Sequence, residues 1–216
     1  MKNILCYGDS NTWGLNPAGM MDGKMRHDWS VRWTGRLQAA LGHEYRIIDE
    51  GLNGRTTVFD DPPFPGRNGL HFLQVCIESH MPLDLLIIIL GTNDTKPLFN
   101  ASEVDITNGM ALLLKTAKNL FNNGPNKPPE ILIGAPVPLG EGILHRAEIG
   151  LVDGTSVAKS RKLAAHYKNL AAMQQCHFID LGQYAVPSTI DNVHLEAEAH
   201  ACVAEAMQKK IMEIFG

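Results

Sequence analysis

The chain has 216 residues, 44% of them hydrophobic, and its 19 Lys+Arg against 23 Asp+Glu give a formal charge of -4. A chain of this length buries roughly 70% of its unfolded surface on folding, enough for an apolar core without disulfides or a structural metal. The composition excludes collagen-like, disordered and disulfide-scaffold classes, and the scattered basic residues argue against a nucleic-acid footprint or a polybasic membrane anchor.

From the N-terminus, Met1-Lys2-Asn3 leads directly into the apolar run Ile4-Leu5-Cys6-Tyr7, with no long apolar region or small-residue cleavage site, so no secretory signal is expected. Further strand candidates are Tyr45-Arg46-Ile47-Ile48, the six residues from Leu85 to Leu90, Ile131-Leu132-Ile133 and His177-Phe178-Ile179. The run from Leu85 is apolar on both faces, as a central parallel strand is, and is far too short to cross a bilayer. Between these runs lie segments of helical period. They carry Trp33, Leu37, Ala40 and Leu41; Ile106, Met110, Leu113, Leu114, Ala117, Leu120 and Phe121; Leu163, Tyr167, Leu170 and Ala171; and finally Val203, Ala206, Met207, Ile211 and Ile214. Such alternation predicts a three-layer α/β/α sandwich around a five-stranded parallel sheet, built as one domain over 1–216. Two irregular segments, Asp60 to Asn68 and Pro136 to Thr155, read as functional rims, lids or subunit contacts.

Four cysteines, Cys6, Cys76, Cys176 and Cys202, are widely separated among apolar neighbours and form no C-x-x-C pair. They read as small buried hydrophobes kept reduced in a cytoplasmic protein.

Ligands of open parallel sheets bind beyond the carboxyl ends of the strands, so the residues after each strand define where to search. The first exit reads Gly8-Asp9-Ser10-Asn11-Thr12, the second Gly51-Leu52-Asn53-Gly54-Arg55, the third Gly91-Thr92-Asn93-Asp94. Past the fifth strand comes Asp191-Asn192-Val193-His194, just ahead of the last helix. These supply the parts of a serine acyl-transfer site. Ser10 needs a base to remove its proton, and His194, with an acid three residues before it, is the histidine placed to do so. Asp191 would fix the ring's tautomer. Oxyanion donors are available in the Ser10 N–H, the Gly54 N–H and the Asn93 amide. In the flavodoxin-like order 2-1-3-4-5 the second and third strands flank the first, and the fifth lies about 14 Å away at ~4.8 Å per strand. The fourteen residues from Asp180 to His194 can span more than ~40 Å when extended, so His194 can reach Ser10.

Gly8-Asp9-Ser10, the glycine after the second strand, Gly91-Thr92-Asn93-Asp94 and Asp191-x-x-His194 resemble, in order and spacing, the four blocks of the SGNH (GDSL-type) hydrolases. The resemblance implies Ser10 as nucleophile, Gly54 and Asn93 as oxyanion donors, His194 as base and Asp191 as its orienting acid. More narrowly, Gly8-Asp9-Ser10-Asn11-Thr12-Trp13-Gly14, Val31-Arg32-Trp33-Thr34-Gly35 and Leu90-Gly91-Thr92-Asn93-Asp94-Thr95-Lys96 resemble the arylesterase/acyltransferase branch of oligomeric bacterial esterases. That branch implies hydrolysis of short acyl esters, acyl transfer to alcohols as well as to water, no cofactor, and a homo-oligomer, dimeric or of higher even number, which light scattering checks. Asn11 departs from the Leu or Ile common after the serine in that family, and with Trp13 it is a candidate wall of the acyl pocket.

Each signal has a plainer counterpart. A lone Gly-Asp-Ser is ordinary turn chemistry, and Asn93 or Asp191 could simply close a strand or cap a helix; their gathering at one end of successive strands favours the catalytic reading. His194-x-Glu196-x-Glu198-x-His200 lacks metal-ligand spacing, and Glu196 with His200 reads as a solvated i, i+4 pair. Trp33, like Trp13, could line an acyl pocket but as a single aromatic reads first as packing, and Arg55 could bind an anionic group but reads first as one half of a surface or interface ion pair. The competing functions are a carbohydrate O-acetyl esterase using the same machinery and a non-catalytic flavodoxin-like binding module.

Overall fold

The computed structural model describes residues 1–123, 127–145 and 151–216. The five apolar runs pair as parallel strands β1 (Lys2–Gly8), β2 (Tyr45–Gly51), β3 (Leu85–Ile89), β4 (Glu130–Ala135) and β5 (His177–Asp180), in the order 2-1-3-4-5. Cys6 is flanked in register by Asp49 on one side and Ile87 on the other, so β1 is an interior strand and its exit is bracketed by those of β2 and β3.

Side chains alternate across the sheet with period two. Leu5, Tyr7, Leu86, Ile88, Ile131 and Ile133 face one layer, formed by α4 (Gly69–His80), α5 (Glu103–Asn123) and α6 (Gly154–Gln174). Ile4, Cys6, Leu85, Ile87, Ile89 and Leu132 face the other, formed by α3 (Trp33–Leu41) and α7 (Ala197–Phe215). Every residue of β3 is buried, which is why its sequence is apolar without alternation. Two short helices, α1 (Ser10–Trp13) and α2 (Gly19–Asp22), follow β1.

The expected helices all form, and besides the short α1 and α2 the structure adds a longer one, α4, which supplies the β2–β3 crossover. Only Gly69, Leu73 and Ile77 of α4 are buried, while Phe72 and Val75 are exposed. Apolar residues on the outer face break the helical period, so the pattern is blurred in the sequence. The cysteines also differ from expectation. All four are free thiols, but only Cys6 is buried; Cys76 and Cys176 are half-buried and Cys202 is exposed.

Both irregular segments are anchored at the site end of the sheet. The Asp60 to Asn68 stretch is tied to the β3 exit by a buried ion pair, Lys96 Nζ to Asp61 Oδ2 at 2.8 Å, and Asn68 then caps α4 through the N–H of Leu70. Part of the Pro136 to Thr155 stretch, 146–150, lies outside the described residues. In the rest, Leu139 and Ile143 pack with Val157 of α6 and with Val193. There the Gly140 N–H donates to the Asn192 carbonyl at 2.9 Å, and a Cβ on Gly140 or Gly142 would lie within 2.7 Å of the Asn192 side chain.

Candidate active site

Four chain segments converge at the carboxyl end of β1. Asp9 caps α1, its Oδ1 accepting from the Asn11 N–H at 2.9 Å, which turns the chain sharply and presents Ser10 at the first position of the helix. The turn is crowded: a Cβ on Gly51, in the neighbouring exit, would lie 2.0 Å from the Trp13 nitrogen, so only glycine lets the β2 exit pass α1.

The β5–α7 connection closes the distance to Ser10. Asp191 Oδ1 accepts from the backbone N–H groups of Val193 and His194, both at 2.9 Å, and Asn192 takes a φ of 62°. This tight turn leaves Oδ2 free to meet the His194 ring at Nδ1, 2.6 Å away, while Nε2 on the opposite side lies 2.9 Å from Ser10 Oγ. Hydroxyl, imidazole and carboxylate therefore form one hydrogen-bonded chain. Burial opposes the charge on Asp191, but the bonds from the His194 ring and from both backbone N–H groups outweigh it and hold the carboxyl below its usual range. An ionised Asp191 fixes the proton on Nδ1 and leaves Nε2 as an acceptor towards Ser10.

The β2 and β3 exits are bound to each other beside this chain. Asn93 Nδ2 donates to the Arg55 carbonyl at 3.1 Å, leaving its second amide hydrogen uncommitted by that bond. Gly54, with φ of 78°, requires the left-handed conformation that glycine adopts freely. Among the described residues, neither the Ser10 N–H nor the Gly54 N–H has a protein acceptor.

Three buried groups hold these exits in place, and only one was singled out from the sequence. Arg55 is 4% exposed rather than at the surface; its Nη1 donates to the Gly8 carbonyl at 2.9 Å and to that of Glu50, and the guanidinium lies 4.0 Å from the Tyr7 ring centroid. Its partners are carbonyls and a ring, not the carboxylate of a surface ion pair. Asp94 accepts from both the N–H and the hydroxyl of Thr57, locking the β3 exit onto the loop that carries Gly54, and complete burial pushes its carboxyl up to about 6. Asp9 is raised as well: burial dominates, partly offset by the Asn11 N–H and by the nearby His194 and Arg55. The spacing of Thr57 and Asp94 carries no sequence signal, because their meeting depends on β1 lying between β2 and β3.

Asn11 spends both atoms of its amide on backbone, accepting from the Leu195 N–H at 3.1 Å and donating to the Val193 carbonyl at 3.3 Å. Trp13 is half-buried and lies under Arg26, whose guanidinium is 4.6 Å from the ring and whose Nε donates to the Trp13 carbonyl. Trp33 is fully buried between α3 and α7, so it is a packing residue and not a pocket wall. The expected solvated pair of Glu196 and His200 does not form. His200 is fully buried, its Nδ1 accepts from the Trp33 N–H, and burial pushes its pKa down to about 3, whereas Glu196 bonds to Ser188. The last helix begins only at Ala197, which puts Glu196 at its cap and turns His200 inward.

The sequence profile of the GDSL-like lipase/acylhydrolase family matches residues 6–202. The chain belongs to that family. No curated protein matches it in sequence, but solved structures do. Est24, a carbohydrate acetylesterase from Sinorhizobium meliloti, is 36% identical with a TM-score of 0.92, the alignment covering 100% of both chains. The aryl esterase of M. smegmatis is 34% identical with a TM-score of 0.88, over 99% of each chain. A GDSL-family chain with this exit geometry is a carboxylic ester hydrolase of the SGNH type, which sets aside the flavodoxin-like binding module. Among the described residues no helix is long and apolar enough to cross a membrane.

Proposed function

We propose that this chain, acting as a single SGNH hydrolase domain over 1–216, hydrolyses short, acetyl-type esters through an acyl-enzyme on Ser10. The observation that carries the reading is the continuous contact from Asp191 through His194 to Ser10, at 2.6 Å and 2.9 Å. As Ser10 Oγ bonds to the ester carbonyl carbon, its proton passes to His194 Nε2, and Asp191 stabilises the imidazolium formed. The carbonyl oxygen takes the negative charge and is met by the Ser10 N–H, the Gly54 N–H and the Asn93 amide, each worth about 3 to 4 kcal/mol to the transition state. Collapse breaks the C–O bond to the alcohol, which leaves with the proton from His194. Water then attacks the acyl-enzyme as His194 takes its proton, and the carboxylic acid departs as Ser10 regains a proton. An alcohol in place of water gives acyl transfer by the same steps, and no step calls for a cofactor. The free thiols support a reducing, cytoplasmic compartment.

Replacing Ser10 by Ala should lower kcat on p-nitrophenyl acetate by at least about 10³-fold with the fold intact; activity within tenfold of the parent overturns the nucleophile assignment. The likeness to Est24 over both full chains supports a second reading with the same machinery, a carbohydrate O-acetyl esterase. Acetylated xylose and cellobiose assayed beside aryl acetates separate the two, and a strong preference for the sugar esters would favour the second.

A further inference from the structure

The residue after Ser10 is positioned to control where His194 sits. The Asn11 side chain meets residues 182 and 184 positions further along the chain and grips both peptide groups that flank the base: its Oδ1 accepts from the Leu195 N–H and its Nδ2 donates to the Val193 carbonyl. The pairing is chemically directional. Flipping the amide would set NH2 against N–H and oxygen against oxygen, so this orientation alone satisfies both contacts.

Apart from the His194–Ser10 contact itself, the other ties on this segment refer it elsewhere. Asp191 and Ser188 hold the turn to itself, Gly140 braces Asn192, and the His27 ring lies 3.3 Å from the Leu195 carbonyl. Asn11, by contrast, links the segment to α1, whose first residue is Ser10, and its own backbone is fixed by the capping carboxylate of Asp9. Misplacing a reacting group by about 1 Å can lower a rate about 10²-fold, so a two-point clamp between nucleophile helix and base is kinetically consequential.

We propose that Asn11 is a positioning residue that sets the Ser10–His194 separation by clamping the backbone on both sides of the base, and that it is not a wall of the acyl pocket. The proposal rests on the assignment of Ser10 and His194 above. Its test compares the parent with Ser10→Ala, Asn11→Leu and Asn11→Asp on p-nitrophenyl acetate, butyrate and hexanoate, with thermal melts alongside. Asn11→Leu removes both contacts. Asn11→Asp keeps the acceptor for Leu195, loses the donor for Val193, and is nearly isosteric, which guards against loss of folding. The expected result is kcat falling in the order Asn, Asp, Leu, by roughly tenfold or more for Leu, with KM within about twofold and the ranking of chain lengths unchanged. A kcat for Asn11→Leu within about twofold of the parent, or a changed KM or chain-length ranking at unchanged kcat, overturns the clamp. Activity surviving in Ser10→Ala defeats instead the catalytic assignment on which it rests.

Discussion

Changing Asp191 to Asn isolates one atom of the candidate triad. In the parent, Oδ1 holds the backbone N–H groups of Val193 and His194, both at 2.9 Å, and Oδ2 meets His194 Nδ1 at 2.6 Å. The new amide has two orientations. With its oxygen on the backbone it keeps the turn and sets NH2 against Nδ1; flipped, it forfeits two hydrogen bonds to the amide oxygen, together about 1 to 3 kcal/mol, and sets NH2 against two backbone N–H donors. The first therefore dominates. An NH2 facing Nδ1 forces the proton onto Nε2, so a ring N–H rather than a lone pair faces Ser10 Oγ, and the imidazole can no longer accept the serine proton. In a serine protease the equivalent change lowers kcat about 10⁴-fold, or about 5.5 kcal/mol at 1.36 kcal/mol per tenfold, and a loss of that order is expected here. The assay is kcat on p-nitrophenyl acetate near neutral pH, with circular dichroism to verify that the turn survives. A loss under tenfold would refute the role given to Asp191. Stability offers a second reading. The Asp191 carboxyl is depressed in the folded state, so its stabilisation is complete above the unfolded pKa of about 4 and disappears as pH falls through the native value. The difference in stability between parent and Asp191→Asn should narrow below about pH 4.

Asn93→Ala removes one proposed oxyanion donor and one hydrogen bond to the Arg55 carbonyl; kcat should fall about 10² to 10³-fold with a stability loss near 1 kcal/mol. If the variant merely unfolds, or keeps a kcat within about threefold, Asn93 is a structural residue only. Asp94→Asn tests the buried lock on Thr57. Because burial raises the Asp94 carboxyl to about 6, the parent's stability from this group is fully present below about pH 4 and is lost as pH rises through about 6. The amide keeps an acceptor for Thr57 and does not ionise. Urea denaturation at pH 4 and pH 7 should therefore show the variant gaining on the parent by roughly 2 kcal/mol across that interval, and a constant difference would contradict the argument.

Much of this protein is written locally. The both-faces-apolar run of β3, the helical periods of α3, α5, α6 and α7, and polar residues gathered at the strand exits follow from backbone periodicity and hydrophobic burial, which act over a few residues and leave a direct imprint on the sequence. Blurring of that imprint by outward-facing Phe72 and Val75 hid α4. Ser10 was legible because it follows the strand that aims it, and likeness to a known set of blocks marked Asp191 and His194 as its candidate partners.

What the sequence could not settle are contacts whose partners are remote in the chain and whose residue types are individually commonplace. Arg55 is an ordinary cation until β1 places the Gly8 carbonyl and the Tyr7 ring around it. Thr57 and Asp94 become a lock only because the 2-1-3 strand order sets their loops side by side. His200 reads as solvated until α7 is seen to start at Ala197 and turn it beneath Trp33. Asn11 belongs to the same class: the sequence sets it beside the serine, and only the return of the β5–α7 connection brings its amide to the backbone on both sides of His194. Local free energies fixed which elements form and what chemistry they carry, and sheet topology, a sum over many distant contacts, decided which of those groups meet.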